Sequence, residues 1–344
     1  MEGAFAQHNA SGTHDWTRVG SALPWIHVIA ALVSALGSAS VITRVTSQRV
    51  GGATSEVRAL FLLAASDLLL ALCGLLGGAM LVRRAGALAW YRLHAARQVV
   101  CIASFFYTLN YVWNVYARLR LNLWCVPHPL SAQYAMPSGK MTALLSGVAP
   151  PLLMAPVFIG GSVGGCVADC GAPYRCLLTP VGAPPVAAGR PIAACRPLRI
   201  YGGAVFLAAF LLTLVGMLAL TGKCRRTYRR VVTAHGYLGN RQRASFRALD
   251  LRMLAHSLVF AVCWAPTACL VAVRATTSST DVGGASVVVL YVAQAVTSAS
   301  PGVLRFAALA CARGPPGRIP ARRDADAQTP LLRAQKTSAR SYRT

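Results

Sequence analysis

Residues 59–82 carry a single charge, Asp67, in an otherwise apolar run. An ionisable group in such a setting is expensive and demands a partner, a bound cation or a captured proton. A second group with chemical content is Phe260-Ala-Val-Cys263-Trp264-Ala-Pro266, which lies in a stretch free of Lys, Arg, Asp and Glu from 253 to 273. Pro266 takes one donor out of a helix and bends it there. The bulky Trp264 beside the bend is placed to sense a ligand on one side and to swing the helix on the other. The seven histidines are scattered, and neither a nucleophile–base pair nor a metal-ligand cluster stands out. The expectation is therefore a protein that is not an enzyme.

The elements that must hold these residues follow from composition. The chain is 55% hydrophobic and only 12% charged, against about 25% charged in a soluble domain. Between Arg18 and Arg44 only His27 titrates near neutrality, and residues 98–117, 141–165, 200–222, 253–273 and 282–304 carry no charge. Each run is near the length needed to cross a bilayer as a helix, and only helices satisfy their own backbone groups in hydrocarbon segments of this length. The reading is an all-α membrane protein, a seven-transmembrane helix bundle over 23–312. Its spans are expected at about 24–43, 59–82, 98–117, 141–165, 200–222, 253–273 and 283–304. Residues 1–22 form a polar tail, and 313–344, rich in Pro, Arg and Gly, a disordered basic tail.

A net charge of +25 raises nucleic acid as a partner, but its distribution argues against one. The segments 44–58, 118–140, 223–252 and 305–344 hold 24 of the 34 basic residues and four of the nine acidic ones. By the positive-inside bias these segments are cytosolic, which puts the N-terminus outside and the C-terminus in the cytosol. The basic inner face attracts anionic membrane lipids. Arg83, Arg84, Arg92 and Arg97 run against the trend, crowding a short outer loop.

The only N-glycosylation sequon is Asn9-Ala-Ser11, on the side expected to be outside. The first 20 residues are polar and lack a central apolar run, so the first span is expected to act as signal anchor. Cys166, Cys170, Cys176 and Cys195 fall in the long outer loop 166–199, where oxidation is favoured. They allow three pairings, and their spacing speaks against a zinc site. Cys311, just past the last span, fits either palmitoylation or an unmodified thiol.

Phe260-x-x-Cys263-Trp264-x-Pro266 resembles the sixth-helix signature of rhodopsin-like G-protein-coupled receptors. Leu63-Ala-Ala-Ser66-Asp67 is similar to the second-helix Leu-x-x-x-Asp of that family. Gly37-Ser38-Ala-Ser40-Val41 resembles Gly-Asn-x-x-Val, although close packing of small residues explains it equally well. Ser300-Pro301-Gly-Val-Leu304 resembles Asn-Pro-x-x-Tyr, with the proline kept and the tyrosine lost. Arg118-Leu119-Arg120 stands where Asp-Arg-Tyr is usual, Arg120 being the better match, seven residues before Pro127. The fourth span lacks the usual Trp and the fifth its proline. Ala35-Leu-Gly-Ser38, Ala65-Ser-Asp-Leu-Leu69 and Ser104-Phe-Phe-Tyr-Thr108 are similar to the orphan G-protein-coupled receptor 157 group, and the transmembrane protein 116 group is a second resemblance.

The resemblance implies a plasma-membrane receptor that couples an unknown extracellular ligand to a heterotrimeric G protein. A pocket would be lined by Phe105, Phe106, Trp264, Thr267, Tyr291 and Gln294. Pro266 and Pro301 would provide kinks. Asp67, Thr297 and Ser300 would share a polar network able to take a sodium ion. Arg118, Arg120, Arg225 and Arg226 would face the G protein. A disulfide from the start of the third helix to the outer loop is also implied, with Cys101 the nearest thiol. Two other readings stay open: a seven-span scaffold that has lost coupling, and a transporter using Asp67.

Overall fold

The computed structural model describes residues 2–48, 55–83, 85–123, 129–163, 195–235, 240–276 and 285–313. Every regular element among them is helical. The helices are α1 (Glu2–Gln48), α2 (Ser55–Val82), α3 (Ala87–Leu123), α4 (Pro129–Val163), α5 (Cys195–His235), α6 (Asn240–Thr276), α7 (Ala285–Thr297) and α8 (Pro301–Arg313). Six of them are long and apolar enough to cross a bilayer, over Ala22–Ser47, Ser55–Val82, Ala87–Arg120, Leu144–Gly161, Pro197–Arg230 and Phe246–Val273.

The expected seventh span, 283–304, is not one helix. It is divided at Ser298–Ser300 into α7 and α8, and the helical path continues to Arg313. Pro301 is the cause. It has no N–H to give to the Thr297 carbonyl, so the Ser300 N–H turns to that carbonyl at 3.2 Å in a tighter, 3₁₀-type step. The ladder resumes with Leu304 N–H on the Ser300 carbonyl, also at 3.2 Å.

The helices close into a ring around α3. α1 packs on α2 and α8, α5 on α4 and α6, and α6 on α7 and α8; α3 touches α2, α4, α5 and α6. The core follows a stripe of α3 in which Ile102, Phe105, Val112, Val115 and Leu119 are buried. Outward faces remain apolar: Leu144, Leu145, Leu152 and Ile159 on α4, and Leu211, Leu212, Val215 and Leu218 on α5, are exposed. Continuous leucine on the outside is the surface a helical bundle shows to hydrocarbon rather than to water.

α5, with 41 residues, is roughly 60 Å long at 1.5 Å per residue, about twice the hydrocarbon thickness of about 30 Å. Its far end runs beside the start of α6. There the Tyr228 and Phe246 rings stack at 3.9 Å and 16°. Arg225 donates from Nε (3.3 Å) and Nη2 (3.2 Å) to the two oxygens of Asp250. The pair of helices therefore continues past the membrane core as one basic stem.

Candidate functional site

Asp67 sits in the middle of α2 on the face that also buries Leu63, Leu70 and Gly74, positions three or four apart that a helix aligns. Its carboxylate is 1% exposed, and the guanidinium of Arg305, from α8, is 3% exposed. Arg305 Nη1 donates to Asp67 Oδ2 at 2.5 Å, and Ser104 Oγ of α3 donates to Oδ1 at 3.1 Å. Arg305 Nη2 donates to Thr108 Oγ1 at 2.8 Å, and that hydroxyl passes its own proton to the Ser104 carbonyl at 2.6 Å. Three helices are thereby joined through one neutral ion pair whose hydrogen bonds are mostly made. That is the condition under which charges are tolerated at this depth.

The expected company of Asp67 was Thr297 and Ser300. The structure gives it Arg305 and Ser104 instead. Ser300 Oγ donates to the Val296 carbonyl at 2.5 Å, back along its own helix. Thr297 Oγ1 is buried without a hydrogen-bond partner. The kink at Pro301 explains the exchange. By starting a new helix there, it points a long basic side chain, one turn further on, at the carboxylate. On the other flank of the break, Arg97 Nη2 donates to Ser298 Oγ at 3.2 Å. With Oδ1 and Oδ2 both engaged, one of them by a cation, the residues present do not fit a sodium ion at Asp67.

Trp264 lies in an aromatic cluster. Phe105 meets it edge-on at 5.0 Å and meets Phe260 at 5.1 Å; Phe206 of α5 approaches Phe105 at 5.5 Å and Trp264 at 6.3 Å. Phe210 stacks on Phe260 at 5.5 Å. Such tilted and edge-to-face contacts are the preferred geometry of ring quadrupoles. The indole Nε1 of Trp264 and the hydroxyl of Thr267, both buried, have no hydrogen-bond partner. Phe106 is half-buried and packs against the same core. Gln294 is buried and Tyr291 half-buried on α7. The structure thus unites Phe105 with Trp264 and adds Phe206 and Phe210. Their i, i+4 spacing on α5 was the available signal, lost in a run that is apolar throughout.

At the end of the bundle shared by the start of α2, the end of α3 and the start of α6, Glu56 is buried between two arginines. Arg118 Nη1 binds its Oε2, and Arg252 Nη1 lies 3.6 Å from Oε1. Glu56 was not foreseen; it precedes the apolar run of α2 and reads as a loop charge. Arg120, the better motif match, is exposed, as is Arg226. Arg225 is held on Asp250.

Cys101 is a buried free thiol, so the disulfide implied for it is not formed. Cys166, Cys170, Cys176 and the 314–344 part of the tail lie outside the described residues, as do the side chains of Asn9 and Cys195. Cys311 is an exposed free thiol at the end of α8.

Apolar helices of spanning length, an outward apolar surface and a fully buried ion pair between Asp67 and Arg305 define a multi-span helical membrane protein. The family model for Transmembrane protein 116 matches residues 20–344, and the chain belongs to that family.

Proposed function

We propose that this protein is a receptor of the G-protein-coupled type, inserted in the plasma membrane with seven crossings, the N-terminus outside and the C-terminus in the cytosol. In this reading α7 and α8 together make the seventh crossing. The observation that carries the proposal is the construction of α6. One helix holds Trp264 in the aromatic cluster, carries Pro266 just beyond it, and places Arg252 on Glu56 at the opposite end. An extracellular ligand that reaches Trp264 and Thr267 would bias α6 about Pro266 and pull Arg252 from the carboxylate. The freed inner ends of α3 and α6, with Arg118, Arg120 and the basic stem of α5, would then receive a heterotrimeric G protein. The ligand acts only through its unequal affinity for the latched and unlatched states.

Glu56→Gln keeps shape and removes the charge that both arginines share. The expected result is a raised basal second-messenger signal, several-fold over wild type at equal surface expression, read as cyclic AMP and calcium in transfected cells. Trp264→Ala is expected to alter signalling with surface expression little changed. Unchanged basal signal in Glu56→Gln removes the latch. Absence of any second-messenger change in all variants, together with no G-protein association, removes the receptor reading and leaves a membrane scaffold. That second reading draws on the loss of the acidic and aromatic neighbours around Arg120. The transporter reading is weakened by the burial of Asp67 against Arg305.

A further inference from the structure

We propose that Arg305 is a tethered counter-ion occupying the cation position at Asp67, so that the wild-type chain has no sodium site there and removing the guanidinium creates one. A hard cation such as sodium wants several oxygen donors and no neighbouring positive charge. Asp67 Oδ2 is taken by Arg305 Nη1 at 2.5 Å, and Oδ1 accepts from Ser104 at 3.1 Å. The nearby Ser66 hydroxyl donates to the Leu63 carbonyl at 2.8 Å, and that of Ser300 to the Val296 carbonyl. Donating a proton leaves each hydroxyl oxygen its lone pairs, so what keeps a small cation out is the like charge already standing at the carboxylate.

The assignment also explains why Arg305 lies where it does. Its guanidinium is held at two corners, by Asp67 and by Thr108. The backbone beside it is fixed by the Gly302 N–H donating to Ser34 Oγ of α1 at 2.9 Å. A cation attached to α8 turns the carboxylate into a fastening between the last helix and α2. A diffusible ion at the same place would stabilise α2 and α3 without holding α8.

The experiment is the thermal melting of the full-length chain, purified in detergent, in sodium chloride against choline chloride at equal ionic strength. The wild type is expected to melt at the same temperature in both. Arg305→Ala is expected to melt several degrees higher in sodium than in choline, the gain saturating with concentration as binding to a site does. Arg305→Ala combined with Asp67→Asn is expected to lose that gain. Arg305→Gln, which removes the charge and keeps a polar side chain, serves if the alanine variant does not fold. A saturable sodium gain in the wild type that Asp67→Asn removes overturns the proposal. So does a folded Arg305 variant blind to sodium. If neither variant folds, the wild-type comparison decides between a filled and an open site.

Discussion

Arg305→Met is expected to destabilise the folded chain by about 3–5 kcal/mol, the range found when one partner of a buried ion pair is removed. In a membrane protein of this size that is a fall in melting temperature on the order of 10 °C. The loss comes less from the missing contact than from what stays behind. Asp67 remains a carboxylate at 2% exposure with only Ser104 to answer it. Thr108 also loses the donor on its hydroxyl. Asp67→Leu in the same background removes the orphaned charge. The double variant is expected to recover most of the stability and to approach or exceed wild type, since a well-packed apolar pair costs no desolvation. Ser104→Ala, which deletes one neutral donor, is expected to cost about 1 kcal/mol. The measurement is melting of the single and double variants in choline chloride, so that no small cation substitutes for the guanidinium. Additive losses from Asp67→Leu and Arg305→Met would mean that the two side chains do not act as a pair.

That pair marks how far the sequence could be read. Asp67 is conspicuous in one dimension, because a charge inside an apolar run needs no knowledge of the fold to be noticed. Its partner is not. Arg305 is the first residue after an uncharged run, the place where any spanning segment ends in a basic residue, and it was counted among the edge charges. Only the break at Pro301 turns it inward, and the direction of a kink depends on the helices it packs against. Glu56 was hidden in the same way at the opposite end of α2. The bundle of long helices and the Phe105–Trp264 contact region were legible because apolar runs and a proline beside a tryptophan are local signals. The division of the last span was half legible: the bend at Pro301 was expected, but not the continuation of the helix to Arg313 through a buried arginine. For Gly37-Ser38 the sequence left a family motif and close packing equally open. The structure places Gly37 against α8, at a distance where only a small residue fits.

Gly302→Val is expected to undo that packing, with a loss beyond the about 1–3 kcal/mol usual for an overfilled core. A Cβ at Gly302 would lie 2.1 Å from Ser38 Oγ, 2.4 Å from the Ser34 carbonyl oxygen and 2.9 Å from Ser34 Oγ. A Cβ at Gly37 would meet the Val303 Cα at 2.6 Å and N at 2.8 Å. At Gly302 the serine hydroxyls can rotate aside but the Ser34 carbonyl is backbone and cannot, so α1 and α8 must separate. Separation breaks the hydrogen bond from Gly302 N–H to Ser34. It also draws Phe306 from beneath Arg44, whose guanidinium lies 4.7 Å from the ring centre, and carries Arg305 away from Asp67. One added side chain therefore acts on the crossing and on the ion pair together. Gly222→Ala is the control. It lies within α5, a Cβ there meets nothing within 4 Å, and the exchange is expected to raise stability by about 0.5–1 kcal/mol through helix propensity. Melting in detergent and the amount of chain at the cell surface should separate the two: Gly302→Val low in both, Gly222→Ala at or above wild type. A Gly302→Val chain that melts with the wild type would mean that α8 does not lie against α1 at this point, and the seat of Arg305 would have to be sought elsewhere.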